Sequence, residues 1–122
     1  MSGRLRAAWH ALLGRPAAPP PSRLDFAFGG TVWPGLAKFQ EESCEVGQVL
    51  AKLIQTGGDP EHWSGNMVEK LVEEMPDLLA SYYVFFMLNP VLHSRADEMT
   101  ERARMKVRKF LEWHFDTLGA RG

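Results

Sequence analysis

The chain of 122 residues holds a single cysteine, Cys44, so it can form no internal disulfide, and a reducing compartment is expected. No histidine or second cysteine stands at zinc-ligand spacing around it. Charge is not in excess either: 14 basic residues face 15 acidic ones, for a net charge of -1. The total therefore makes no electrostatic case for nucleic acid or an anionic membrane. The longest apolar run, Leu78 to Leu88, is interrupted by Ser81 and falls short of the roughly 20 residues that a bilayer span needs. At the N-terminus, MSGRLRAAWHALLGRP carries a short apolar run broken by His10, with no small-residue cleavage site after it, so a leader is not expected and the reading is cytoplasmic. Internal repeats are absent and strand-like alternation nearly so. No HExxH, Walker loop, GxSxG or dinucleotide glycine fingerprint occurs. No glutamate is followed three residues later by histidine, which removes the half-site of di-iron helix bundles.

An apolar fraction of 45% and a charged fraction of 24% suit one soluble domain with one real core. Residues 4–13 have the pattern of a short amphipathic helix, with Leu5, Trp9, Leu12 and Leu13 on one side, followed by a proline-rich linker through Pro21. This arm, residues 1–30, is either a mobile appendage or a segment that docks its Leu/Trp face on a neighbouring subunit. The stretch LDFAFGGTV (24–32) alternates weakly and reads as a short extended piece. A long helix is expected from Pro34, capped near Thr31 or Trp33, to about Thr56, where Gly57-Gly58 stop it. Residues 57–66, GGDPEHWSGN, read as a loop. A second helix, capped by Ser64 or Asn66, should run from Met67 to Leu88 and end at Asn89-Pro90. The third opens with Ser94 and Asp97 at capping-box spacing and continues to about Phe115, leaving 117–122 as a flexible tail. The fold class is all-α: an antiparallel helical hairpin plus a C-terminal helix in a domain over 31–116. From Leu78 onward the second helix is apolar all round, so it must be covered on every side. That predicts assembly into an oligomeric helical bundle, a dimer or tetramer.

The informative anomaly is a set of acids on apolar faces. At 100° per residue, Glu42 falls inside the arc of Phe39, Val46, Val49 and Leu53, and Glu45 lies one step beyond Val49. A carboxylate there costs free energy unless it is paired, and the partner expected is a divalent metal that shares its shell with a polyphosphate, not a base one turn along the helix. Glu74 and Asp77 form a second pair on the second helix, with Asp77 bordering its apolar half. Folding the two helices as a hairpin brings the four carboxylates together, where some protonate or a cation binds. Oxygen ligands without His or Cys select Mg2+, with Mn2+ as the alternative. The competing view is that each pair is an ordinary solvated helix face.

EESCEV (Glu41, Glu42, Glu45) followed by EEMPDLLA (Glu73, Glu74, Asp77) resembles the EExxE…ExxD signature of the all-α, MazG-like nucleoside triphosphate pyrophosphohydrolases. The likeness, to the small single-domain bacterial and phage type, covers about residues 31–115. It implies Mg-dependent hydrolysis of (deoxy)nucleoside triphosphates between the α and β phosphates, giving a monophosphate and pyrophosphate. It further implies that Glu42, Glu45, Glu74 and Asp77 ligate the metal, and that Glu41 supports them or orients the attacking water. Metal ions neutralise phosphate charge and acidify water, while a carboxylate positions the nucleophile. Lys38, one turn before Glu42, and Arg102 and Lys106, one turn apart on the third helix, are either phosphate contacts or solvated bases. Trp33 and Trp63 either stack on a base or pack as ordinary aromatics. Pro76 departs from the motif, which more often has a small residue there. It cannot donate to the Val72 carbonyl, so it either re-aims Asp77 or spoils the four-acid geometry. Two other readings stand beside this one: a non-catalytic oligomerisation module on the same scaffold, and a phosphoribosyl-nucleotide pyrophosphohydrolase.

Overall fold

The computed structural model describes residues 22–121 together with Gly3, Arg4, Leu12 and Gly14. The amphipathic arm and its proline-rich linker otherwise lie outside the described residues. The chain divides into two compact units, Met1–Leu88 and Asn89–Gly122.

In the first unit the stretch expected to be extended folds back on itself. Arg23–Phe26 form a 3-10 turn, because the Ser22 amide donates to Asp25 Oδ2 at 2.7 Å. The Asp25 carbonyl then accepts the Val32 amide at 3.0 Å. A Cβ on Gly30 would collide with that same carbonyl, so the reversal needs glycine there.

Helix α1 spans Leu36–Gln55. Its cap is neither Thr31 nor Trp33 but Gly35, held at φ 88° with its carbonyl accepting the Phe39 amide at 3.1 Å. A side chain at Gly35 would meet Phe85 Cα at 3.3 Å, so glycine serves both the left-handed turn and the close approach of the next helix. The far end closes as a Schellman motif: Gly58 N–H donates to Leu53 O at 2.8 Å and Gly57 N–H to Ile54 O at 3.1 Å, the two glycines taking positive φ.

The connection contains more order than the breaker residues suggest. β1 (Glu61–His62) pairs antiparallel with β2 (Gly65–Asn66), placing Trp63 and Ser64 at the tip. Asn66 does double duty. Its Nδ2 donates to Glu61 Oε1 at 2.6 Å, and its Oδ1 caps the following helix by accepting the Val68 and Glu69 amides at 2.9 and 3.1 Å.

Helix α2 spans Met67–Leu88, continuous through Pro76. It returns antiparallel along α1: Phe39 stacks on Phe85 at 5.5 Å and meets Tyr82 edge-on at 5.9 Å, while Trp33 reaches Phe85 at 6.1 Å. Among the described residues the buried apolar side chains are Val46, Val49 and Met67. That is a thin core for the residues described.

The second unit holds α3 (Pro90–His93) and α4 (Ala96–Arg121). Ser94 does not cap α4 as its spacing to Asp97 predicts. Pro90 nucleates a single turn first, and Ser94 closes it, its hydroxyl donating to the Val91 carbonyl at 3.3 Å. Arg95 instead grips Glu98 through Nε and Nη2 at 2.9 and 2.7 Å. The flexible tail expected from residue 117 is helical to Arg121, passing through Gly119. No helix among the described residues is long and apolar enough to cross a membrane.

Candidate metal centre

The antiparallel hairpin sets acids of its two helices side by side. Glu45 and Glu74 form one rung and Glu42 joins them, so that one carboxylate oxygen from each lies within 4.8 Å of the others. Three of the four expected ligands therefore converge. Asp77 stays outside this group; with Lys38, Glu42, Ala80, Ser81, Val84 and Phe28 it lines an adjoining cavity of about 300 Å3. Pro76 separates the acid that joins the cluster, Glu74, from the one that faces the cavity.

Glu42 is the most constrained member. It is 4% exposed, while Glu45 and Glu74 are half-buried. Its Oε1 accepts from Lys38 Nζ at 2.6 Å, and the same ammonium lies 3.5 Å from Glu41 Oε1. This corrects the expectation that no basic side chain of the same helix would serve Glu42. Residues four apart stack on one face of a helix, and Lys38 uses that spacing. The pairing is incomplete, because Glu42 Oε2 is buried without a hydrogen-bond partner. An unsatisfied carboxylate oxygen away from water costs about 1–3 kcal/mol or more for a charged group, so it is a position that a cation would relieve.

The titration of Glu45 reflects the crowding. Its carboxyl is raised above the ordinary glutamate range, first by sharing a hydrogen bond with Glu74, then by loss of water and by the negative charges of Glu42 and Glu74. Acids so placed either share a proton or bind a cation. Lys38 is raised as well, chiefly by its hydrogen bond to Glu42. The donor set contains oxygen alone and suits Mg2+ or Mn2+.

The other expected residues are spread over both units. Glu41 is exposed and touches the site only through Lys38. Trp33 precedes α1 and is partly exposed, whereas Trp63 at the β-ribbon tip is 92% exposed. A helix of 20 residues, about 30 Å long, separates the two tryptophans, so they cannot flank one base. Arg102 and Lys106 lie one turn apart on α4, the first exposed and the second half-buried.

Two lining residues escape a reading of the sequence. Ser81 is buried with its hydroxyl donating to the Leu78 carbonyl at 2.8 Å, and it looks like a mere break in an apolar run. Phe28 belongs to a stretch that alternates only weakly, and it lines the cavity because the segment before α1 folds back. Cys44 is exposed. No protein-family model, no characterised protein and no solved structure matches this chain.

Proposed function

We propose that this chain is a magnesium-dependent nucleoside triphosphate pyrophosphohydrolase of the MazG-like type, cleaving (deoxy)nucleoside triphosphates between the α and β phosphates. The observation that carries the reading is the convergence of Glu42, Glu45 and Glu74 within 4.8 Å around a buried Glu42 with one oxygen unsatisfied. In this reading those three side chains hold Mg2+, or Mn2+ in its place, and Asp77 contributes from the cavity it shares with Glu42. The ion supplies charge neutralisation and Lewis acidity toward the phosphates. Glu41, exposed beside the cluster, orients the attacking water by accepting its hydrogen bond. Lys38 is the base of the hairpin assigned to the phosphate oxygens, and Trp33 is better situated than Trp63 to meet the nucleoside, since it packs on Phe85 at the same end of the hairpin as Lys38.

The active form in this reading is a cytoplasmic homo-oligomer, a dimer or tetramer. Support comes from the thin core together with an apolar groove of about 710 Å3 between the helices, lined by Phe39, Val46, Met75, Pro76, Leu79 and Tyr82. A second copy laid on this groove would cover what α2 leaves exposed.

Incubation of the folded protein with a panel of ribo- and deoxyribonucleoside triphosphates and Mg2+ tests the activity. The expected products are nucleoside monophosphate and pyrophosphate in equal amounts. Intact triphosphate, or release of orthophosphate, would refute the reading. A second reading, a non-catalytic oligomerisation module, draws support from the Lys38–Glu42 ion pair, which satisfies one Glu42 oxygen without any metal. It expects intact triphosphate and an unchanged oligomer.

A further inference from the structure

We infer that Lys38 is an exchangeable counter-ion for the acid cluster: its ammonium occupies Glu42 until a divalent cation arrives, then vacates it and turns toward the anionic substrate. The inference rests on the metal-centre reading above and concerns the state that precedes loading.

Three observations lead to it. First, Lys38 Nζ stands 2.6 Å from Glu42 Oε1, which places a positive charge beside the position a metal would take. Two cations that share one carboxylate repel each other, and more so where water is scarce. Secondly, the partners differ in freedom. The Glu42 side chain is 5% exposed and the Lys38 side chain 42% exposed, so the lysine can swing on its flexible stem while the carboxylate stays. Thirdly, a place exists for the displaced ammonium. Lys38 lines the cavity shared with Asp77 and Ser81, and the half-exposed Glu41 has its Oε1 3.5 Å from Nζ. A lysine that leaves Glu42 therefore keeps a carboxylate within reach and stays available to a phosphate.

The exchange has a functional consequence. The cluster is spared an uncompensated buried carboxylate when empty, and the metal-loaded site gains a freed positive charge for the substrate. Affinity for the bare metal is correspondingly held down, and metal with triphosphate should bind more tightly than metal alone.

Manganese titration of the nucleotide-free protein, followed by calorimetry, tests this with Lys38→Gln and Lys38→Arg. Lys38→Gln removes the competitor and should tighten manganese binding about tenfold or more, while Lys38→Arg keeps the charge and should bind at the wild-type level or weaker. Manganese should also raise the melting temperature of Lys38→Gln by more than it raises that of the wild type, since the variant lacks the positive charge that neutralises Glu42. Unchanged or weaker manganese binding by a folded Lys38→Gln would overturn the exchange and leave the metal centre standing, with Lys38 as a fixed positioning residue. Absence of manganese binding in all three folded proteins would overturn both.

Discussion

The two helices of the hairpin misplace opposite kinds of side chain. Helix α1 buries a charge: Glu42 sits inside its apolar stripe, between Val46 and the Phe39 ring. Helix α2 exposes oil: Val72, Met75, Leu79, Tyr83 and Met87 are all more than half exposed. Neither arrangement is what folding alone would favour, since a buried carboxylate costs free energy and a wide apolar surface invites association. The difference teaches where each helix looks for its missing partner. The need of α1 is electrostatic and local, and a cation meets it. The need of α2 is an area, and a surface laid over it meets it. Both needs meet at one segment, because Glu74 belongs to the acid cluster while Met75 and Pro76 line the apolar groove.

The largest effect should come from breaking the charge side of this comparison. Glu45→Gln removes one of three converging ligands and is expected to lower magnesium-dependent pyrophosphate release by about 10²–10³-fold, a loss of the size seen when a preorganised transition-state contact is deleted. Asp77→Asn, one cavity away, should cost less than Glu45→Gln in the same assay. Equal losses would mean that Asp77 joins the ligand set when substrate binds. Next in size is the apolar side. Leu79→Asp puts a charge into the groove and should weaken self-association by about 100-fold, near 3 kcal/mol, seen by light scattering as a shift toward monomer with the helical content kept.

A smaller effect separates the two helices by pH. Because the Glu45 carboxyl is raised in the folded protein, the native state binds more protons than the unfolded one in the window just above the ordinary glutamate range. Stability is therefore fully present below that range and is lost as pH rises through the raised value. The melting temperature of the metal-free protein should fall across that window. Glu45→Gln should flatten the slope, and magnesium should do the same by taking over the charge. The smallest expected effect is at the ribbon tip, where Trp63→Ala should change stability by less than about 0.5 kcal/mol and leave the pyrophosphate assay unchanged. A loss of activity there would reverse the assignment of the two tryptophans.

Much of this comparison is legible in the residues themselves. The bounds of α1 and α2 follow from breakers and caps, with Gly57-Gly58 and Asn66 acting as their chemistry predicts. Glu45 and Glu74 meet because an antiparallel hairpin with a short connection leaves few registers. Less visible features depend on contacts that a helical wheel does not contain. The Lys38–Glu42 bond was open to the i, i+4 rule, but a wheel scored for apolar burial assigns Glu42 no neighbour of opposite charge. The ribbon of β1 and β2 is hidden because each strand is two residues long and its residues look like loop formers. The turn at Arg23–Phe26 escapes because hydrogen bonds from Ser22 and Val32 to Asp25 define it, not any hydropathy pattern. Asp77 is the most instructive. Its spacing from Glu74 gives the face but not the distance: it lines the cavity next to the cluster together with Glu42 and is not among the three acids within 4.8 Å of one another.

The central claim, that the charge buried in α1 is half of a metal centre, is tested most directly by anomalous diffraction from crystals soaked in manganese. The account predicts one strong peak among the carboxylates of Glu42, Glu45 and Glu74, with the Lys38 ammonium moved off Glu42. Full soaking with no peak there, and Lys38 still bonded to Glu42, would contradict it.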